Sequence, residues 1–110
     1  MKKLVINCSP DWEVENIKEV IKEFCKGYTI RGGLTLVNSG PNIIQGSTKK
    51  YHGTFTIREN PSDGKDLEID YDDGSILRHG THGKALRRIF WENLYKGLKS
   101  LLEKPYSNYK

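Results

Sequence analysis

The runs Tyr51-His52-Gly53-Thr54-Phe55-Thr56-Ile57-Arg58 and Leu67-Glu68-Ile69-Asp70-Tyr71 decide how this chain is read. In the first, Tyr51, Gly53, Phe55 and Ile57 alternate with His52, Thr54, Thr56 and Arg58; in the second, Leu67, Ile69 and Tyr71 alternate with Glu68, Asp70 and Asp72. Successive side chains of a strand point to opposite faces, so a period of two marks two strands, each with an apolar and a polar side. Between them stands Asn60-Pro61-Ser62-Asp63-Gly64, a concentration of turn-forming residues. Together these features predict a hairpin whose second strand ends or reverses at Asp73-Gly74.

Upstream, residues 3–7 form a short apolar run that suits a buried strand. Ser9 is placed to cap a helix whose first turn holds Pro10, Asp11 and Glu13. Val14, Ile17, Val20, Ile21, Phe24 and Cys25 then recur at three- and four-residue spacing, and Gly27 marks the stop. Alternation returns around Gly32-Gly33, from Thr29-Ile30-Arg31 to Leu34 through Val37, where a bulge or bend is expected. Asn38-Ser39-Gly40-Pro41-Asn42 reads as a turn, and Ile43-Ile44 begins a further strand before a break at Gly46-Ser47.

Downstream, a helix is expected from about His82 or Gly83 to Lys104, capped by Thr81 and ended by Pro105. Leu86, Phe90, Leu94, Leu98 and Leu101 make its apolar stripe, flanked by Ile89, Trp91 and Leu102. Neither helix is apolar all round, so each should cover a face of the sheet. The expected fold is an α+β two-layer sandwich, an antiparallel sheet of 4–5 strands with two amphipathic helices, in the order β-α-β-β-β(-β)-α. The length of 110 residues suits one core; residues 1–104 are read as one domain and 105–110 as a flexible C-terminal tail.

Several classes fall away. The longest apolar runs are a few residues, against the roughly 20 needed to cross a bilayer, so no membrane partner is expected. Asn7 interrupts the run after Lys2 and Lys3 too early for a secretory signal, which points to a cytoplasmic protein. Cys8 and Cys25 fall on apolar positions without Cys-x-x-Cys spacing and read as reduced, buried thiols.

The net charge of +4 conceals segregation. Residues 61–75 carry six acids against Lys65, whereas residues 76–110 carry eight bases against Glu92 and Glu103. The densest basic segment is Arg78-His79-Gly80-Thr81-His82-Gly83-Lys84, followed by Arg87 and Arg88. A glycine-flanked turn entering a helix presents unpaired amides at the positive end of the helix dipole, a cradle suited to phosphate. His52, Thr54, Thr56 and Arg58, with Arg31, Lys49 and Lys50, can add a polar, basic sheet face, provided that both helices pack on the other one.

The same segment resembles the end of a double-stranded-RNA-binding domain, whose last helix begins with phosphate-gripping bases. Over residues 11–104, Tyr51-His52-Gly53-Thr54-Phe55 would match that family's first two strands, and Gly83-Lys84 with Arg87-Arg88 its basic helix start. The chain departs from the family in lacking the Lys-Lys-x-x-Lys pattern and in placing a strand at 3–7 before the first helix. Gly46-Ser47 before Lys49-Lys50-Tyr51 is similar to the Gly-Ser-His strand of HicA-type ribonuclease toxins, but Thr48 occupies the position of the catalytic histidine. Arg78-His79-Gly80 matches the triplet of histidine phosphatases, yet lies near the end of a short chain rather than after a first strand.

No nucleophile motif surrounds a serine or cysteine, and no metal or other cofactor is expected. The expected role is therefore binding rather than catalysis: a small domain contacting nucleic acid, RNA or DNA, or another phosphate-bearing ligand. The site residues are Lys49, Lys50, His52, Arg58, Arg78, His79, His82, Lys84, Arg87 and Arg88. The alternative is a protein-interaction module, an inhibitor or accessory subunit of the kind phages and mobile elements encode, docking through the acidic 63–73 segment or through Trp12 and Trp91. A third reading is a small nuclease using His79 or His82 with Glu68, Asp70, Asp72 or Asp73.

Overall fold

The structure is a computed structural model that describes residues 2–27, 35–47, 52–61, 64–71 and 81–109, with the backbone alone for 26–27, 35, 47 and 81–87. Along the chain come β1 (Lys2–Cys8), α1 (Val14–Gly27), β2 (Thr35–Gly40), β3 (Ile43–Ser47), β4 (His52–Glu59), β5 (Lys65–Tyr71), α2 (Thr81–Leu102) and a short α3 (Tyr106–Tyr109). The two alternating runs are β4 and β5, paired antiparallel with Phe55 opposite Ile69 and Ile57 opposite Leu67. Gly64 closes their connection: its carbonyl accepts the Asn60 N–H at 3.0 Å, and its own N–H donates to Asn60 Oδ1 at 3.1 Å.

The sheet order is β1-β5-β4-β3-β2, every neighbouring pair antiparallel, so the chain forms the expected α+β sandwich. β1 and β2 lie at opposite edges and run in the same direction. The chain between them must cross four inter-strand gaps, about 19 Å at the usual spacing. α1, 14 residues long, spans about 21 Å and can make that crossing.

Register places Leu4 and Ile6 beside Ile69 and Leu67, these beside Phe55 and Ile57, and Ile44 beside Phe55. All point to one face. Ile17, Val20, Ile21 and Cys25 of α1 and Phe90, Trp91, Leu94, Leu98 and Leu102 of α2 join them in one buried cluster. Both helices therefore share a face, and neither covers the side bearing Thr54, Thr56, Glu68 and Asp70.

Two glycines permit the closest approaches. Trp91 lies against Gly53, where a Cβ would come 2.6 Å from Cζ2 and 2.9 Å from Cζ3 of the indole. The ring also stacks on Tyr71, with centroids 5.9 Å apart, and meets Phe90 edge-on at 5.1 Å. Between the helices, Phe24 of α1 occupies the space over Gly97 of α2, where a Cβ would stand 2.7 Å from Cε2.

Some local readings change. β2 continues through Asn38-Ser39-Gly40 and the reversal shrinks to Pro41-Asn42, because a bulge between Asn38 and Gly40 absorbs the extra residue. Gly46 and Ser47 do not break β3; they pair with Gly53 and His52. The buried side of α2 is centred on Trp91, Leu94, Leu98 and Leu102, leaving Leu101 half-buried and Ile89 half-exposed. The expected strand over 29–34 and the reversal at Asp73-Gly74 lie outside the described residues.

α1 starts later than its capping signal suggested. Ser9 accepts the N–H of Trp12 at 3.2 Å and donates its own N–H to the Leu102 carbonyl at 2.9 Å, so residues 9–12 form a turn tied to the end of α2. Trp12 thereby enters the core, and its Nε1 donates to the Lys104 carbonyl at 2.8 Å. Asp11 accepts the backbone N–H groups of Tyr106 and Ser107 at 2.9 and 3.2 Å, which makes it the cap of α3 rather than of α1. The segment after Pro105, read as a frayed tail, is instead docked: Tyr106 packs on Trp12 at 4.8 Å between centroids and accepts a hydrogen bond from Asn16 Nδ2.

Cys8 and Cys25 are free and buried, and burial pushes both thiols up to about 12. The bond from the Tyr106 N–H, with a further one from Ser107, holds the Asp11 carboxyl below its ordinary value.

Gly53→Ala and Gly97→Ala should each destabilise the protein by about 1–3 kcal/mol, as overpacked cores do. Urea unfolding checks this, and an unchanged midpoint for either refutes the packing described. Because the Asp11 carboxyl is depressed, its contribution is present above the unfolded value near 3.8 and lost as pH falls through the lower folded value. Asp11→Ala should speed hydrogen exchange at Tyr106 and Ser107 at neutral pH while leaving the exchange of β4 and β5 unchanged.

Candidate nucleic-acid interface

The axis of α2 decides which basic residues can act together. Leu102 sits beside Ser9, just past the end of β1, whereas Trp91 lies over Gly53 at the start of β4. The helix therefore runs diagonally over the sheet. Its ten residues before Trp91 extend about 15 Å further, toward the end where β3 passes into β4.

His82, Lys84 and Arg87 belong to the first two turns of this segment, and Arg88 is exposed on it. Arg87 occupies the helical position four residues before Trp91, in line with the buried stripe, so that position lies toward the end of the β3–β4 pair. His52 opens β4 at the same end and is exposed. Lys49 and Lys50, in the β3–β4 connection, and Arg78 and His79, before α2, lie outside the described residues.

Arg58 is not part of this group. Six residues along β4 from His52, it stands about 20 Å away by strand rise. Its Nε donates to Glu68 Oε2 at 2.5 Å, and Lys3 Nζ reaches Glu68 Oε1 at 3.4 Å. The hydrogen bond from Arg58, more than the neighbouring Lys3 charge, holds the Glu68 carboxyl below its usual range. Lys3 had no signal in the sequence as a partner of Glu68, because the two lie 65 positions apart and only the β1–β5 pairing joins them.

Both helices pack on one side of the sheet, as the expected basic face required, while Lys49 and Lys50, on which that face depended, lie outside the described residues. Register places Lys3, Arg58, Asp66, Glu68 and Asp70 on that face, two bases against three acids among the described residues. Asp66 accepts a hydrogen bond from Asn60 Nδ2 at 3.0 Å. Among the described residues the face is mixed because β5, the acidic strand, lies between β1 and β4, the two strands that carry the bases.

The two tryptophans are core residues, fully buried, and not exposed anchors for a partner. Among the described residues no group of three or more His, Cys, Asp or Glu is placed to hold a metal ion, and no helix is long and apolar enough to cross a membrane. No protein-family model, curated protein or solved structure matches the chain.

Arg58→Ala should move the Glu68 pKa back toward its ordinary value while Lys3 still holds it partly down. Carboxyl chemical shifts followed against pH test this, with stability changing by no more than about 1 kcal/mol, as for exposed ion pairs. A Glu68 titration unaltered in the variant would show that Arg58 is not its main partner.

Proposed function

We propose that this chain is a small binding domain that engages nucleic acid, RNA or DNA, or a related phosphate-bearing ligand at the end where α2 begins. One observation carries the reading. From Thr81 to Trp91, α2 contains Lys84, Arg87 and Arg88 and no carboxylate, and its first acid is Glu92. Helices ordinarily place acids at this positive end, as α1 does with Glu15. Lys84 in the first turn opposes the dipole, a cost of about 0.3–1 kcal/mol that a bound anion reverses.

In this reading Lys84, Arg87 and Arg88 neutralise phosphates, His52, His79 and His82 supply hydrogen bonds, and Lys49, Lys50 and Arg78 add attraction. Arg58 is left out because of its distance and its Glu68 partner. A protein-docking role would rest on the acidic strand alone once Trp12 and Trp91 are assigned to the core.

Fluorescence anisotropy with labelled RNA and DNA oligonucleotides tests the proposal. The binding constant should fall with salt, with a log–log slope of about −0.7 per phosphate contact on single strands and −0.9 on duplex DNA. Lys84→Ala should remove about one contact from that slope, and Arg58→Ala should leave it alone. No binding at low salt, or an Arg58→Ala loss as large as that of Lys84→Ala, would refute the assignment.

A further inference from the structure

We propose that the free edge of β1 is a self-association surface, pairing antiparallel with β1 of a second copy about a two-fold axis at Val5. Two five-stranded sheets would then become one continuous ten-stranded sheet. The inference is independent of the nucleic-acid reading, since β1 contributes no residue to that end of α2.

The two edges of the sheet are built differently. β2 is interrupted by the register shift between Asn38 and Gly40 and followed at once by Pro41, features that bend a strand and bar a further partner. β1 pairs through all seven residues, Lys2 to Cys8, without a shift, and among the described residues only with β5. No described strand pairs with its other row of backbone N–H and C=O groups, which is a template for an added strand.

The sequence of β1 is compatible with its own reverse. A two-fold axis at Val5 sets Lys2 opposite Cys8, Lys3 opposite Asn7, Leu4 opposite Ile6 and Val5 opposite Val5 of the second copy. No like charges face each other in this register, and it is the symmetric one that uses all seven residues. An axis at Lys3 would oppose two lysines and shorten the overlap. On the helix-covered face, partly buried Leu4 gains an apolar neighbour; on the open face, Val5, 42% exposed, meets its copy. Lysine on an edge strand ordinarily discourages pairing, but here the Lys3 charge is already held by Glu68 at 3.4 Å.

Cross-linking with a built-in control tests this register. Directly opposite residues have Cβ atoms about 4.5–5.5 Å apart, within reach of disulfide formation after small adjustment. Val5→Cys should therefore form a covalent dimer under copper–phenanthroline and air. Val37→Cys, on the same face at the other edge and 54% exposed, should not. In the unmodified protein, light scattering should show the mass doubling with concentration. Val5→Lys, at an exposed position, should weaken dimerisation by about tenfold or more through like charges at the axis, with circular dichroism unchanged. A monomer at all concentrations, or equal cross-linking of Val5→Cys and Val37→Cys, overturns the proposal.

Discussion

The docking of α2 depends on one packing arrangement, the Trp91 indole set against the bare backbone of Gly53. The ring touches Tyr71 of β5, Phe55 of β4 and Phe90 of its own helix, and so joins both central strands to α2. Trp91 Nε1 is buried without a hydrogen-bond partner, a defect worth about 1–3 kcal/mol. The apolar area of the indole has to outweigh that loss, as it can for so large a side chain. With Trp91 seated over β4, the apolar side of α2 is centred on Leu94, Leu98 and Leu102, and Ile89 turns outward beside Arg88. The direction in which the basic first turns project follows from the same contact.

A second set of contacts fixes the far end. Trp12, Asp11 and Ser9 lie between β1 and α1, yet their partners are Lys104, Tyr106, Ser107 and Leu102. The residues after Pro105 are thereby held to the start of α1. α2 is thus pinned at Trp91 by shape and at Leu102 by hydrogen bonding, with Phe24 over Gly97 between the two.

What could be read from the sequence was what depends on neighbours in the chain. β4 and β5 were legible because alternation is a local property and Asn60 to Gly64 is a local turn signal; the apolar face of α1 was legible for the same reason. Ser9 and Asp11 misled because a serine and an acid where a helix is expected to start look the same whether they serve that helix or a segment far along the chain. Gly46 and Gly53 looked different in sequence, one as a break and one as a strand residue, and only the β3–β4 register shows them paired. Of the candidate site, the cationic helix start could be read from composition, whereas the exclusion of Arg58 required knowing that Glu68 is its neighbour on the adjacent strand β5.

The topology also explains why the net charge is a poor guide to where an anion would bind. β5 carries Asp66, Glu68 and Asp70 outward and is flanked by β1 and β4, whose Lys3 and Arg58 turn toward Glu68. Both described bases on that side are thus engaged by Glu68. Lys84, Arg87 and Arg88 all precede the first acid of α2, Glu92, which lies one turn beyond Arg88. The acids of the sheet and the bases of the helix start thus belong to different elements, and a net charge of +4 says nothing of where either lies.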